Sequence, residues 1–235
     1  MDPGEVALRA LVHAIVRRDR PATLRLLANS PQLAQQAMTL GATRDNPRTD
    51  FFEEIAHYAY AGDTPLHMAA AAYQREIAAD LVSRGADVSA KNRRGAEPLH
   101  YACDGQPGSG TWDPAAQSAI VEFLIGVGAD PNSHDKNGVA PLHRAVRTRC
   151  SAAVRALLEH GAHVRQRNTS GSTPLHLAIQ NTGRGGSGSA ASRAEQKDII
   201  RLLLGAGARA SDKDATGKTV ADCVTTEWIL ALLKV

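Results

Sequence analysis

An all-α stack of helix pairs is the fold class that the sequence predicts, on three observations. The nine residues Gly62-Asp63-Thr64-Pro65-Leu66-His67-Met68-Ala69-Ala70 recur as Gly95 to Cys103, Gly138 to Val146 and Gly171 to Ile179, with Pro-Leu-His always in the same slots, and in decayed form at Gly217 to Asp222. A Gly-Ala marker at Gly85, Gly128, Gly161 and Gly207 stands 10 residues before each following motif glycine. Between the two, each unit carries paired or tripled aliphatics, such as Leu157-Leu158 and Leu202-Leu203-Leu204, closed by a glycine.

Each motif residue has a physical task. The opening glycine suits a turn that needs positive φ, and proline in the first helical turn loses no hydrogen bond, because that N–H would be an orphan. Thr or Ser ahead of the proline can cap the helix. Leu142, Ala145 and Val146 fall at i, i+3 and i+4, one face of a short helix, and small residues there let neighbouring helices approach closely. The glycine that closes the second helix fits the left-handed C′ position.

The signature resembles the ankyrin repeat, whose unit of about 33 residues is a β-turn plus two helices. The resemblance covers residues 62–225, roughly 70% of the chain. It implies an all-α, ankyrin-repeat α-solenoid with β-hairpin connecting loops, and a binding scaffold in place of an enzyme. Spacing refines this: successive motif glycines lie 33, 43, 33 and 46 residues apart, so two units are expanded. Because the hairpin side is constant in length, the extra chain must lie between the first and second helix of each expanded unit. The expected organisation is an N-terminal helical cap with an extended aromatic loop over 1–61, four repeats over 62–94, 95–137, 138–170 and 171–216, and a C-terminal cap over 217–235.

The flanks are read from local pattern. Leu8, Leu11, Val12 and Ile15 form one helical stripe, and Pro21 opens a second helix. Pro31 to Leu40 is expected to be a short helix and Gly41 to Asp50 a loop. Phe51, Phe52, Tyr58 and Tyr60 gather about half of the aromatics, either to cover the first full repeat or to form a binding edge. Thr226 to Val235 reads as the last helix.

Composition excludes several classes. A net charge of +3 is too low for a generic nucleic-acid binder. No apolar run approaches the length of a membrane span and no leader opens the chain, so a cytoplasmic protein with no membrane role is expected. Cys103, Cys150 and Cys223 are too scattered for a disulfide framework or a metal site, and no cofactor is expected. Gly217-Lys218-Thr219 is no phosphate loop, since the glycine required five residues earlier is Asp212. The recurrent His67, His100, His143 and His176 lie about a repeat apart, too far to share a metal; the resemblance implies structural histidines.

Candidate contacts follow from position. Asn92, Asp135, Asn168 and Asp214 share one slot three residues before the glycine and suit side chains that cap their own turn. The two residues after each vary, so Arg93, Arg94, Lys136, Asn137, Thr169 and Ser170 are expected to point outward. Equal motif offsets align Met68, Tyr101, Arg144 and Leu177 in one column of the concave face and Ala71, Asp104, Arg147 and Gln180 in the next. Arg144 and Arg147 are expected to face outward, with Asp104 pairing to Arg147 as the competing arrangement. Trp112, in the first inserted loop, is either an anchor for a partner or a lid over that loop.

Gly138 to Thr169 carries six arginines against Glu159 alone, +5 by count. The sequence therefore predicts a non-enzymatic, monomeric module binding a protein partner, acidic or otherwise complementary, through the tips together with Tyr101, Asp104, Trp112, Arg144, Arg147 and Gln180. The alternative is a small-anion or metabolite sensor built from Arg144, Arg147, Arg149, Asn181, Arg184 and Gly186 beside the two Gly-rich loops.

Overall fold

The computed structural model describes residues 3–43, 50–107, 112–180 and 189–233. Its contacts divide the chain into two compact units, Met1–Ala102 with Ala119–Asp130, and Cys103–Ser118 with Pro131–Val235.

The first unit opens with α1 (Pro3–Val16) and α2 (Arg20–Asn29). Leu8, Leu11, Val12 and Ile15 are at most 1% exposed, so the stripe of α1 is its buried face. Asp19 caps α2 by accepting the Ala22 N–H at 2.9 Å. The expected helix after Pro31 is only a 3-10 turn, Pro31–Gln35, after which the chain becomes extended. There it pairs with the segment entering the first repeat: the Met38 N–H donates to Asp63 O, the Gly62 N–H to Met38 O and the Ala42 N–H to Ala59 O. Two-residue strands β1 (Phe51–Phe52) and β2 (His57–Tyr58) then form an antiparallel flap with Phe51 opposite Tyr58. The expected loop over Gly41 to Asp50 falls in part, at 44–49, outside the described residues.

Three inner and outer helices complete this unit: α3 (Pro65–Ala71), α4 (Arg75–Val82) and α5 (Pro98–Ala102), with most of α6 (Pro114–Gly126). Helix α3 packs against α1, α4 and α5. Its seven residues are all buried, which is possible because three of the last four are alanine and present little bulk to a neighbouring helix. The second unit holds α7 (Pro141–Arg147), α8 (Ser151–Glu159), α9 (Pro174–Ala178), α10 (Ala190–Gly205) and α11 (Glu227–Leu233). Helix α7 packs on α8 and α9, and α10 on α8, α9 and α11.

Extra chain lies between inner and outer helices, as the spacing requires. In the expanded repeats the inner helices α5 and α9 stop after 5 residues, while α3 and α7 run for 7. The compact repeats instead turn directly into the outer helix through a left-handed residue, Tyr73 (φ 54°) and Arg149 (φ 65°), and the N-terminal pair does so through Arg18 (φ 59°).

The hairpin loops are tight turns, not paired strands. Asn92, Asp135, Asn168 and Asp214 N–H groups each donate across the loop to the carbonyl four residues on, and within these loops, among the described residues, a single isolated bridge, Lys213 with Thr219, marks strand character. Gly62 needs its freedom twice over: φ is 89°, and a Cβ there would stand 2.7 Å from Asn92 Cα.

Candidate functional site

The tips are built from the Asx slot outward. Asn92 Oδ1 accepts the N–H groups of Arg94 and Ala96, Asp135 Oδ1 those of Asn137 and Val139, Asn168 Oδ1 those of Ser170 and Ser172, and Asp214 Oδ1 those of Thr216 and Lys218. One side chain thus satisfies two backbone donors of its own turn. Neighbouring tips are joined by backbone bonds: Arg93 N–H to Ala61 O, Thr169 N–H to Asn137 O, and Ala215 N–H to Ser170 O. With the backbone so occupied, Arg93, Arg94, Lys136, Asn137, Thr169 and Ser170 are all exposed.

The histidines knit the same region. Backbone N–H groups of Thr64, Glu97, Ala140 and Thr173 donate to Nδ1 of His67, His100, His143 and His176, leaving the ring proton on Nε2. For His67 that proton reaches Ala96 O at 3.1 Å, and for His143 it reaches Ser172 O at 3.2 Å, each in the next repeat. Burial holds the His143 pKa below the ordinary imidazole value, against the opposing pull of that carbonyl. Among the described residues no group of His, Cys, Asp and Glu has metal-holding geometry.

The first column of the inner-helix face departs from expectation. Met68 and Tyr101 are at most 1% exposed and Arg144 is 8% exposed. Tyr101 points inward because its hydroxyl donates to Asp63 Oδ2 at 2.8 Å and accepts from Asn92 Nδ2 at 2.9 Å, with its ring against His57 and His67. Arg144 is drawn in by Asp104, 2.7 Å from Nη1, and by Asp135, 3.9 Å from Nη2. Asp104 therefore pairs with Arg144 and not with Arg147. The second column is the open one, with Arg147 and Gln180 exposed and Ala71 buried.

The inserted-loop residues are similarly engaged. Trp112 Nε1 donates to Gln117 Oε1 at 3.0 Å while Gln117 Nε2 donates to Asp104 O, tying a half-buried indole to the first turn of α6. Arg149 is buried, and its guanidinium donates to Ala178 O at 3.1 Å and to Gln180 O at 2.6 Å, the carbonyls that end α9. Cations are favoured at such a helix end. Burial lowers the Arg149 pKa to about 10. Asn181, Arg184 and Gly186 lie outside the described residues. Of the described arginines assigned to an anion pocket, Arg144 and Arg149 are buried and turned to partners inside the protein, and Arg147 is exposed.

Cys103 and Cys150 are buried thiols whose pKa values burial pushes up, that of Cys150 to about 11, so neither is a ready nucleophile. Cys223 is half-buried. No helix among the described residues is long and apolar enough to cross a membrane.

Sequence reasoning left one feature out of its contact set. Phe52 is buried and meets His13 edge-on, but Phe51 and Tyr58 are exposed and meet at a tilt, with Tyr60 beyond them under Arg93 and Arg94. The flap both covers the first unit and presents an edge; the signal was the clustering of aromatics in a chain with only 4% of them.

The family model for an ankyrin repeat matches residues 61–93, and the model for ankyrin repeats in three copies matches residues 114–214. Together they span more than half of the chain. No curated protein matches it.

Proposed function

The chain belongs to the ankyrin-repeat family, and from that premise we propose that it is a non-enzymatic protein-interaction module that binds through its hairpin tips and the exposed column of its inner helices. Ankyrin repeats generally mediate protein–protein interaction, and the family is generally non-enzymatic. The observation that carries the reading is the division of labour at three tips: the Asx side chain and backbone are consumed by the turn, while the two following residues stand exposed at Arg93-Arg94, Lys136-Asn137 and Thr169-Ser170. Fixed side chains on a rigid turn lose little entropy on binding. Arg147 adds an exposed cation on the repeat that follows the Lys136 tip.

The test is affinity capture followed by mass spectrometry with the full chain and with a Lys136→Glu/Arg147→Glu variant. Loss of the captured set on charge reversal, with retention in an Arg155→Glu control on the exposed side of α8, is the expected result. An unchanged set in the double variant would remove these tips and this column from the interface.

A further inference from the structure

We propose that the aromatic flap and the first hairpin tip form one docking surface, and that its occupant is an acidic, apolar-containing peptide segment of a protein partner. This deepens the protein-binding reading and rests on it.

The surface lies within the first unit. Five large apolar side chains are exposed among the described residues, and three of them, Leu40 at 62%, Phe51 at 36% and Tyr58 at 38%, belong to residues 40–58. Phe51 and Tyr58 ring centroids are 4.7 Å apart and those of Tyr58 and Tyr60 6.4 Å apart, a short ladder of tilted rings. At its end the Arg93 and Arg94 guanidinium carbons stand 5.3 and 4.7 Å from the Tyr60 centroid. Arg94 Nη1 donates to the Tyr60 hydroxyl at 3.0 Å, and Arg93 Nη2 donates to Ala42 O.

Charge decides what such a surface takes. Several other basic side chains of this unit find acids: Arg9 pairs with Glu5 and Asp50, Arg17 with Glu54, Arg20 with Asp80, and Lys91 with Glu97. Arg93 and Arg94 have no acidic partner among the described residues, yet both are gathered at one ring. Two like charges held close raise the local potential, which an incoming anion relieves. The flap's own Glu54 does not serve, because it faces Arg17. Both guanidinium groups are already oriented by the ring, the hydroxyl and Ala42 O, so a carboxylate meets a preformed fork with little ordering cost. The ladder supplies the other half of recognition, stacking and apolar contact for a Leu or aromatic side chain next to the acid. Aromatic rings beside arginine also suit single-stranded nucleic acid, but a backbone track needs a longer run of cations than two.

The probe is a short labelled peptide of alternating glutamate and leucine, titrated by fluorescence anisotropy against the full chain, with amide NMR shifts locating the contact. Saturable binding is expected, with shifts at residues 51–60 and 93–94. Glutamine–leucine and glutamate–serine analogues, and the Arg94→Glu and Tyr58→Ser variants, are each expected to weaken it about tenfold or more. Arg94→Glu alters one exposed side chain, so it keeps the test valid if Tyr58→Ser perturbs the flap. Shifts confined to Lys136, Arg147 and their neighbours would overturn this inference and leave the protein-binding reading standing. Failure of every peptide while the full chain still captures its partners would do the same. Failure of both assays would end both readings. Tighter binding of oligothymidine than of the acidic peptide would overturn the peptide in favour of nucleic acid.

Discussion

Tyr101 and Arg144 occupy the same position of successive inner helices, six residues after the motif glycine, and each reaches the Asx residue that builds the tip just before its own repeat. In the first unit the link is neutral on one side: the Tyr101 hydroxyl bridges Asn92 and a fully buried Asp63, whose carboxylate also takes the Tyr60 N–H. In the second it is ionic, with Arg144 between Asp104 and Asp135. Met68 and Leu177 fill the corresponding position with no polar reach at all. In the repeats of Tyr101 and Arg144 the slot is therefore a strut between inner helix and tip, neutral in one and ionic in the other.

The largest expected effect breaks the ionic strut. Arg144→Met leaves Asp104 and Asp135 without their shared cation in a mostly buried setting, and is expected to cost about 3 kcal/mol in urea unfolding. Adding Asp104→Asn should recover part of that loss, as coupled partners do in a double-mutant cycle. If Arg144→Met stays within about 0.5 kcal/mol of the parent, a range ordinary for inert surface changes, the strut does not bear on stability. Tyr101→Phe removes one hydrogen bond to a buried carboxylate and is expected to cost about 2 kcal/mol, with the ring packing intact.

A smaller contrast concerns Arg149, a cation in the second unit that is answered by carbonyls and not by acids. Arg149→Ala loses the bonds to Ala178 O and Gln180 O and keeps the left-handed backbone, whereas Arg149→Gly loses the bonds and relieves the backbone. Alanine is thus expected to be less stable than glycine by about 1 kcal/mol, measured as the difference of their unfolding free energies. The smallest effect is that of pH. His143 has a folded pKa below its unfolded value near 6.5, so its contribution is complete above that value and is lost as pH falls through the folded pKa. Melting temperature should decline on acidification below pH 6.5, and the His143→Asn variant should decline less over the same interval.

Much of the fold was legible because it is written in short-range chemistry that repeats. Proline, the Asx slot and the opening glycine each act within a few residues, so the turns and helix starts could be placed from the chain alone. The side on which Arg144 lies could not. A helix of seven residues makes fewer than two full turns, so its period divides faces poorly, and the choice fell to Asp104 and Asp135, which lie in other segments. Asp104 was misaligned for a related reason. Helix α5 ends at Ala102, so position 104 has left the helical register that position 147 still keeps in α7, and equal offsets no longer mean equal places. Phe51 and Tyr58 were visible as aromatics, but their exposure depends on a two-residue pairing too short to announce itself in sequence.

The backbone bonds that run from Arg93 to Ala61, from Thr169 to Asn137 and from Ala215 to Ser170 use no side-chain atom. The residues after the Asx slot can therefore be exchanged like movable type, each letter new and the line spacing untouched. Variation at these positions can rewrite what the molecule reads without resetting the page on which it is printed.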